Sequence, residues 1–359
     1  MILLSLFCGR QAELADRLKM NWLIKKLQEF TGTQRFLSAQ LDITSACNLK
    51  CRHCYLPNNS AADLSMGEWN KILDQYSLLL NKLYLKPHFS LSGGEPTLSP
   101  LFVPMLEELH SRWPDATMNV LSNGTTIPEA AISAIVKHKA DVQISMDGPD
   151  AERHDAIRGP GSFEKAVRGY RELQSRGVKV ALQAVLSHNT APWADEFFEM
   201  AAALKAPAMN FTRFVPQGRG KALLESKGDR PLNGYELRDA YVKILSAAER
   251  TGVFTGTGLP LFVLIKPELG AHGKAGFQGI VIDSQGWLKV TSRADFRLGN
   301  VVKDGLEKLF LDHPLMQDLR AGRIEGCGAC LHYDKCGGDR NASFSEYGSF
   351  LKKDPCCWI

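Results

Sequence analysis

The chain has 359 residues, 44% of them hydrophobic and 23% charged, and its formal net charge is +4. Such values are ordinary for a globular protein, so they exclude a disordered or fibrous chain and allow one large α/β domain beside a smaller one. The charge is mild and the Lys and Arg residues form no dense run, so we expect no nucleic-acid partner.

The first 36 residues predict a helix but no targeting segment. The opening stretch, MILLSLFCGR, lacks the basic residues that begin a secretory signal, and its apolar run is short. No segment of the sequence reaches the ~18 apolar residues of a membrane span, so we expect a cytoplasmic protein with no membrane partner. Leu14, Leu18, Trp22 and Leu27 lie near helical spacing and predict an amphipathic helix in residues 1–36.

Short apolar runs alternate with helical patterns between residues 37 and 215. The runs predict six strands: FLSAQLDIT, HFSLSGG, ATMNVLSNG, DVQISMDG, VKVALQAVLS and AMNFTRFVP. The stretches between them predict helices near 66–82, 99–112, 127–139, 162–176 and 190–204. A βα repeat builds parallel strands with right-handed crossovers, and six units are too few for an eight-stranded barrel. We therefore expect an α/β fold, a partial (β/α)6 barrel with its chemistry at the carboxyl ends of the strands.

The remaining sequence predicts a connector and a second, smaller domain. Residues 216–275 hold a Gly- and Lys-rich stretch, QGRGKALLESKGDR, followed by one helix near 234–251. Residues 276–359 begin with GIVIDSQGWLKVTS, whose two alternating runs predict a hairpin. A helix near 304–320 and a second group of cysteines complete this predicted domain.

Three cysteines lie in one loop directly after the first predicted strand, in ITSACNLKCRHCY. The span from Cys47 through Cys51 to Cys54 is short enough to wrap one metal cluster, and thiolates are the usual ligands of iron–sulfur clusters. Three protein ligands leave one iron of a four-iron cluster open, as a catalytic metal requires. A zinc site would need His53 as its fourth ligand, in an awkward position between two others.

The number and grouping of cysteines bear on the redox compartment. Nine cysteines, mostly in two tight groups, favour metal binding in a reducing compartment over disulfides. Cys8 belongs to neither group, and we expect it to be an ordinary small buried residue.

The first group carries a family resemblance. The pattern CxxxCxxC followed by an aromatic residue, here Tyr55, after the first strand of a βα barrel resembles the radical S-adenosylmethionine (radical SAM) superfamily. The resemblance implies that Cys47, Cys51 and Cys54 hold a 4Fe-4S cluster whose open iron binds S-adenosyl-L-methionine. It also implies reductive cleavage of that cofactor to a 5′-deoxyadenosyl radical, which abstracts a hydrogen from the substrate.

A second motif ends the next predicted strand. Gly93-Gly94-Glu95-Pro96 resembles the GGEP motif of the same superfamily. Glycines let backbone carbonyls approach the ammonium group of the cofactor closely. Glu95 can either fix the loop or add negative charge beside that ammonium. A plain βα loop is the competing interpretation of such a turn.

Further cofactor contacts are expected at the ends of later strands. Short hydroxyl and amide groups there suit ribose, although Ser and Asn also favour turns and helix caps. Arg158, in HDAIRGPGSF, can pair with the cofactor carboxylate, and a surface arginine is its alternative. Two more side chains on the fifth and sixth strands can point into the barrel. The candidates other than Arg158 are Ser122, Asn123, Ser145, Gln183 and Arg213.

The second group of cysteines resembles the SPASM and twitch extensions of radical SAM enzymes, which bind auxiliary 4Fe-4S clusters. Full SPASM domains have further cysteines at the position of Arg340 and near Ser292 or Arg293, and both are missing here. We therefore expect one auxiliary cluster, for electron transfer or scaffolding, with Cys356 or Cys357 as the fourth ligand. A four-cysteine zinc knuckle is the alternative. The other three ligands are Cys327, Cys330 and Cys336.

Three hypotheses for the function follow. Many radical SAM enzymes with such an extension cross-link or epimerise a ribosomally made peptide, and we favour this. Only about 36 residues precede the first strand, too few for a leader-binding domain, so a separate recognition protein is expected, with flavodoxin or ferredoxin as electron donor. The alternatives are a tetrapyrrole side-chain decarboxylase and a noncatalytic metal scaffold. No catalytic acid or base is assigned; Asp147 and Tyr333 are guesses.

Overall fold

The computed structural model describes residues 35–56, 62–270 and 275–359. In these residues six parallel strands, β1 to β6, lie side by side in the order of the chain, as a partial barrel requires. The predicted α/β fold is therefore confirmed. The strands are β1 Phe36–Thr44, β2 Lys86–Gly93, β3 Thr117–Ser122, β4 Asp141–Ser145, β5 Val180–Leu186 and β6 Met209–Arg213.

Helices connect the parallel strands and cover the outside of the sheet. The first of them, α1, begins at a capping box in which Ser65 and Glu68 satisfy each other's backbone N–H groups. Its apolar stripe, from Trp69 to Leu80, is buried against the sheet. The helices are α1 Met66–Leu83, α2 Phe102–Arg112, α3 Glu129–Lys137, α4 Ala151–Arg158, α5 Ser162–Ser175 and α6 Ala194–Ala203.

Strand alternation separates the core from the interior of the barrel. On β1 the side chains of Leu37, Ala39, Leu41 and Ile43 are buried with the surrounding helices. The alternate positions of the strands line the interior, where Gln143 and other polar side chains form cavity walls. The carboxyl ends of six strands thus open onto one polar space.

Three more strands extend the same sheet. The predicted hairpin is present as β7 Gly279–Ile282 and β8 Trp287–Lys289, and β9 Arg297–Asn300 follows it. β7 pairs in parallel with β1, so the sheet of the described residues has nine strands. The C-terminal segment therefore continues the barrel sheet, and the boundary near residue 276 stays a prediction.

The connector and the C-terminal segment contain more helices than the sequence pattern indicated. The connector has two α-helices, α7 Arg219–Glu225 and α8 Gly234–Thr251, where one was expected. The single helix expected near 304–320 was wrong. Gly305 at φ +85° and Pro314 divide it into α9 Val301–Asp304, α10 Leu306–Leu311 and α11 Pro314–Arg320. Two short helices follow, α12 Tyr333–Cys336 and α13 Arg340–Tyr347.

Two earlier expectations concern the chain termini and membranes. The residues that predicted the N-terminal amphipathic helix, from Leu14 to Leu27, and Cys8 lie outside the described residues. Within the described residues no helix is both long and apolar enough to cross a membrane.

Candidate active site

The cysteine loop after β1 is held by the turn after β2. The N–H of Gly94 donates to Thr44 O at 2.9 Å, and the N–H of Glu95 donates to Ala46 O at 2.8 Å. A Cβ atom on Gly93 or Gly94 would lie only 2.2 or 2.1 Å from a backbone oxygen of this loop. Only glycine permits such an approach, so the predicted GGEP turn and the cysteine loop are one structural unit.

Glu95 links that turn to the end of β3. Its carboxylate is fully buried and accepts bonds from Thr97 Oγ1 at 2.6 Å, Ser122 Oγ at 2.8 Å and the N–H of Asn123 at 2.7 Å. Burial raises the pKa of this carboxyl, and these hydrogen bonds counteract the rise. Neither Glu95 nor Pro96 lies on the cavity wall, so Glu95 acts by fixing the loop.

A cavity of about 520 Å³ opens above the carboxyl ends of the strands. All three cysteines of the loop reach its wall, and each has a free thiol. Nine of the eleven side chains expected to contact the cofactor also lie on this wall, and Ser145 and Gln183 are register partners on β4 and β5. The nine are Tyr55, Gly93, Gly94, Ser122, Asn123, Ser145, Arg158, Gln183 and Arg213.

Two cysteine sulfurs accept hydrogen bonds from neighbouring side chains. Asn123 Nδ2 lies 3.8 Å from Cys47 Sγ, and a terminal nitrogen of Arg158 lies 3.8 Å from Cys51 Sγ. Such donors stabilise thiolates, the form that binds iron. The three thiols and their donors fit a cluster with one open iron.

Asp147, at the end of β4, ties the cysteine loop to the barrel. Its carboxylate is fully buried and lies 2.5 Å from His53 Nε2 and 2.5 Å from Arg158 Nε, while the N–H of Val185 donates at 2.7 Å. Burial alone would raise the pKa of Asp147, but Arg158 and His53 outweigh it and hold that pKa well below its usual range.

This arrangement bears on two sequence hypotheses. His53 uses its Nε2 on Asp147, which disfavours it as a fourth zinc ligand. Asp147 does not line the cavity, so its place is that of an anchor rather than of an acid or base. Tyr333, the other guess, lies at the second group of cysteines.

His154 predicts how stability depends on pH. Its buried ring accepts the N–H of Asp147 on Nδ1 at 3.2 Å, and burial, with Arg158 adding to it, lowers its pKa to about 4. Unfolded histidine titrates near 6.5, so protonation favours the unfolded chain as pH falls. We expect a loss of about 2 kcal/mol between pH 7 and pH 5. Urea unfolding of metal-free protein measures it; equal losses in wild type and His154→Asn would contradict the assignment.

Arg213 joins the barrel to the C-terminal segment. Its guanidinium lines the cavity and binds Asp354 bidentately, at 2.7 and 2.8 Å, with both side chains buried. Its Nε also lies 3.8 Å from Asp339 Oδ2. Asp354 lines the cavity of the second cysteine group, so this ion pair separates two cysteine-lined spaces.

Sequence reasoning missed several residues of the site. The connector packs on the cysteine loop: Arg219 Nε donates to Cys51 O at 2.9 Å, and a Cβ on Gly218 would lie 2.5 Å from Leu56 O. The two glycines of QGRGK are a signal for such close approach, whereas the sequence pattern predicted only a connector there. Other missed wall residues are Lys50, His53, Ser92, Gln143, Thr212 and Arg293.

The second group of cysteines lines a cavity of about 180 Å³. Cys357 lies on its wall, whereas Cys356 points elsewhere, its Sγ 3.1 Å from Leu232 O. No three His, Cys, Asp or Glu side chains of the described residues converge tightly enough for a single metal ion. An auxiliary four-iron cluster and a single zinc ion each take four ligands, and this cavity offers four thiols. They are Cys327, Cys330, Cys336 and Cys357.

The two adjacent cysteines make a matched pair of variants. We expect Cys357→Ala to lose about four irons per chain and Cys356→Ala to keep them, because only Cys357 faces the cavity. Iron and sulfide analysis after anaerobic reconstitution measures the difference. Equal iron in both proteins, or loss in Cys356→Ala alone, would overturn the ligand assignment.

Comparison with known proteins identifies the family. The sequence model of the radical SAM superfamily matches residues 41–201. The chain is 32% identical over 337 residues to the mycofactocin maturase MftC of Mycobacterium tuberculosis, covering 88% of this chain and 81% of that protein. It belongs to the radical SAM superfamily. An AdoMet-dependent heme synthase of Oleidesulfovibrio alaskensis is 26% identical over 343 residues, or 88% of this chain and 85% of that protein.

Two solved structures share the fold. Streptococcus suis SuiB bound to its precursor peptide SuiA matches with a TM-score of 0.71 at 16% identity, covering 94% of this chain and 79% of that one. The structure of anSMEcpe with bound AdoMet matches with a TM-score of 0.68 at 22% identity, covering 89% and 94%. Membership makes this chain a radical SAM enzyme, with S-adenosylmethionine and a 4Fe-4S cluster as cofactors, so the noncatalytic scaffold hypothesis was wrong.

Proposed function

We propose that this radical SAM enzyme modifies a ribosomally made peptide, by cross-linking a side chain or epimerising a residue. The lining of the barrel interior carries the proposal. Beside the cofactor cavity lies a second one of about 750 Å³, and the two share Gln143 and Gln183 in their walls. Five uncharged amide side chains lie on this wall, and such groups pair with the N–H and C=O groups of a peptide. The amides are Gln40, Asn119, Gln143, Gln183 and Asn210.

Three arginines on the cavity walls are already paired with carboxylates, which supports a peptide over a tetrapyrrole, although Lys50 and Arg219 also line the cofactor cavity. Arg158 is paired with Asp147, Arg213 with Asp354, and Arg293 lies 3.5 Å from Asp339. A tetrapyrrole with several carboxylates needs cations that are not already neutralised. The relative MftC is named a maturase and SuiB was solved with a precursor peptide, which agrees with this proposal.

We assign a role in cofactor binding to several residues of the cofactor cavity. When bound, the cluster and S-adenosylmethionine supply the radical that abstracts a substrate hydrogen. The carbonyls of Gly93 and Gly94 receive the cofactor ammonium, and Arg158, one of whose terminal nitrogens has no hydrogen-bond partner among the described residues, receives its carboxylate. Ser122, Asn123 and Ser145 lie at strand ends where ribose hydroxyls bind.

Partners and compartment belong to the same proposal. A flavodoxin or ferredoxin reduces the site, and a separate recognition protein presents the leader of the peptide. Free thiols in both cysteine groups require a reducing compartment, so we place the reaction in the cytoplasm.

Co-expression tests the proposed substrate class. The enzyme is expressed with each short peptide encoded beside its gene, and the peptide mass is compared with that from a Cys47→Ala strain. We expect a Cys47-dependent change: a lower mass if the peptide is cross-linked, or an altered chromatographic retention at unchanged mass if a residue is epimerised. Unchanged peptides, together with loss of carbon dioxide from an iron-coproporphyrin offered to the pure enzyme, would favour the heme-synthase-like alternative.

A further inference from the structure

Arg340 is a buried cation with an unusual set of partners. Its side chain is 3% exposed, at the first residue of α13. Its guanidinium donates to Gly338 O at 3.3 Å, and to Phe350 O and Lys352 O at 2.7 Å each. A terminal nitrogen lies 3.8 Å from Cys327 Sγ.

The guanidinium has no anionic partner of its own, because the nearby carboxylate of Asp354 is already bound by Arg213. It forms no ion pair with a carboxylate among the described residues. Its position at a helix N-terminus is also unfavourable, because the positive end of the helix dipole repels a cation. Burying an unpaired charge is strongly unfavourable, so a nearby anion is needed to offset it.

The thiolates of the second cysteine group supply that anion. Cys327 lies on the wall of the 180 Å³ cavity together with the other three thiols. A four-iron cluster held by four thiolates is anionic, and it gains one further negative charge on reduction. A fixed cation that donates an N–H to one of its sulfurs therefore stabilises the reduced form more than the oxidised form.

We propose that Arg340 is the positioning residue that sets the reduction potential of the second cluster, through its hydrogen bond to Cys327. The inference rests on the cluster assignment within the proposed function and is independent of the substrate. It explains why an arginine is buried where the sequence resemblance placed a cysteine.

Potentiometry of the second cluster alone tests this. The full-length chain with Cys47, Cys51 and Cys54 replaced by alanine leaves only that cluster, and Arg340→Gln and Arg340→Lys are made in this background. At a fixed potential we expect Arg340→Gln to lower the ratio of reduced to oxidised cluster about tenfold, equivalent to ~59 mV for one electron. Arg340→Lys keeps the charge but loses the planar set of N–H donors of the guanidinium, so we expect that ratio to fall about threefold.

Arg320 provides the matched control. It also donates to three backbone carbonyls, those of Gly276, Leu311 and Phe310, and within the described residues no hydrogen bond joins its side chain to a cysteine. Arg320→Gln should change unfolding and leave the potential unchanged. If Arg340→Gln loses its iron, Arg340→Lys decides the matter alone.

Two results would overturn the inference in distinguishable ways. A cluster that is retained with an unchanged potential in Arg340→Gln would show that Arg340 only holds the chain turn at Phe350 and Lys352; where Arg340→Gln loses its iron, an unchanged potential in Arg340→Lys has the same meaning. Zinc instead of iron in the background protein would overturn the cluster assignment as well. Neither result would bear on the proposal that the substrate is a ribosomally made peptide, because the co-expression experiment tests that proposal separately.

Discussion

Replacing Cys47, Cys51 and Cys54 together with alanine is expected to abolish formation of 5′-deoxyadenosine. In the proposed site these thiols, which lie on the wall of the cofactor cavity, hold the cluster, and without them no iron is left open for S-adenosylmethionine. The second group is separated from the first by the buried ion pair of Arg213 and Asp354, so its cluster should persist. We expect iron to fall from about eight to about four per chain.

Chromatographic detection of 5′-deoxyadenosine and iron analysis of the same sample measure both effects. Cys356→Ala is the control, because it removes a buried thiol outside both sites. Cofactor cleavage that survives in the triple variant would contradict the assignment of the loop. Loss of all iron would show that the two sites do not assemble independently.

Asp147→Asn is expected to have the second large effect. The change leaves the guanidinium of Arg158, whose side chain is 10% exposed, without its counter-ion beside Cys51, and it weakens the contact between His53 and the end of β4. Breaking a buried pair by removing one partner destabilises by about 3–5 kcal/mol. The displaced loop should also lower cofactor cleavage by about two orders of magnitude, the effect of misplacing reacting groups by about 1 Å.

The control for this variant lies three residues along the chain. Asp150→Asn removes a half-exposed ion pair with Arg153 but keeps a good N-cap for α4. We expect it to change stability by less than about 1 kcal/mol. Urea unfolding and initial cleavage rates compare the two proteins. Equal effects would show that the contacts of Asp147 with His53 and Arg158 contribute no more to stability or cleavage than a surface ion pair.

The sequence was sufficient for features set by local pattern. The βα repeat predicts that β1 and β2 are parallel neighbours whose carboxyl ends lie at the same edge of the sheet. The cysteine motif (Cys47, Cys51 and Cys54) follows β1 and the glycines before Glu95 end β2, so the sequence placed both motifs at that edge. These predictions depend only on the rule that the carboxyl ends of parallel strands lie at the same edge of a sheet.

Contacts between distant residues could not be predicted in this way. His53 meets Asp147 across 94 residues and Arg213 meets Asp354 across 141, so the anchoring of the loop and the wall between the two sites depend on packing. Cys356 and Cys357 are neighbours in the chain, and only the turn after Asp354 decides which thiol faces the cavity. The helix near 304–320 failed because Pro314 starts a new helix there.

The central claim is that the 5′-deoxyadenosyl radical abstracts a hydrogen from a ribosomally made peptide. The origin of that hydrogen tests this claim most directly. The reconstituted enzyme is incubated with reductant, S-adenosylmethionine and a deuterated form of the peptide encoded beside its gene. We predict that deuterium from the peptide appears in 5′-deoxyadenosine and that the peptide mass changes in step. Cofactor cleavage by fully loaded enzyme without deuterium transfer, and with an unchanged peptide, would contradict the account.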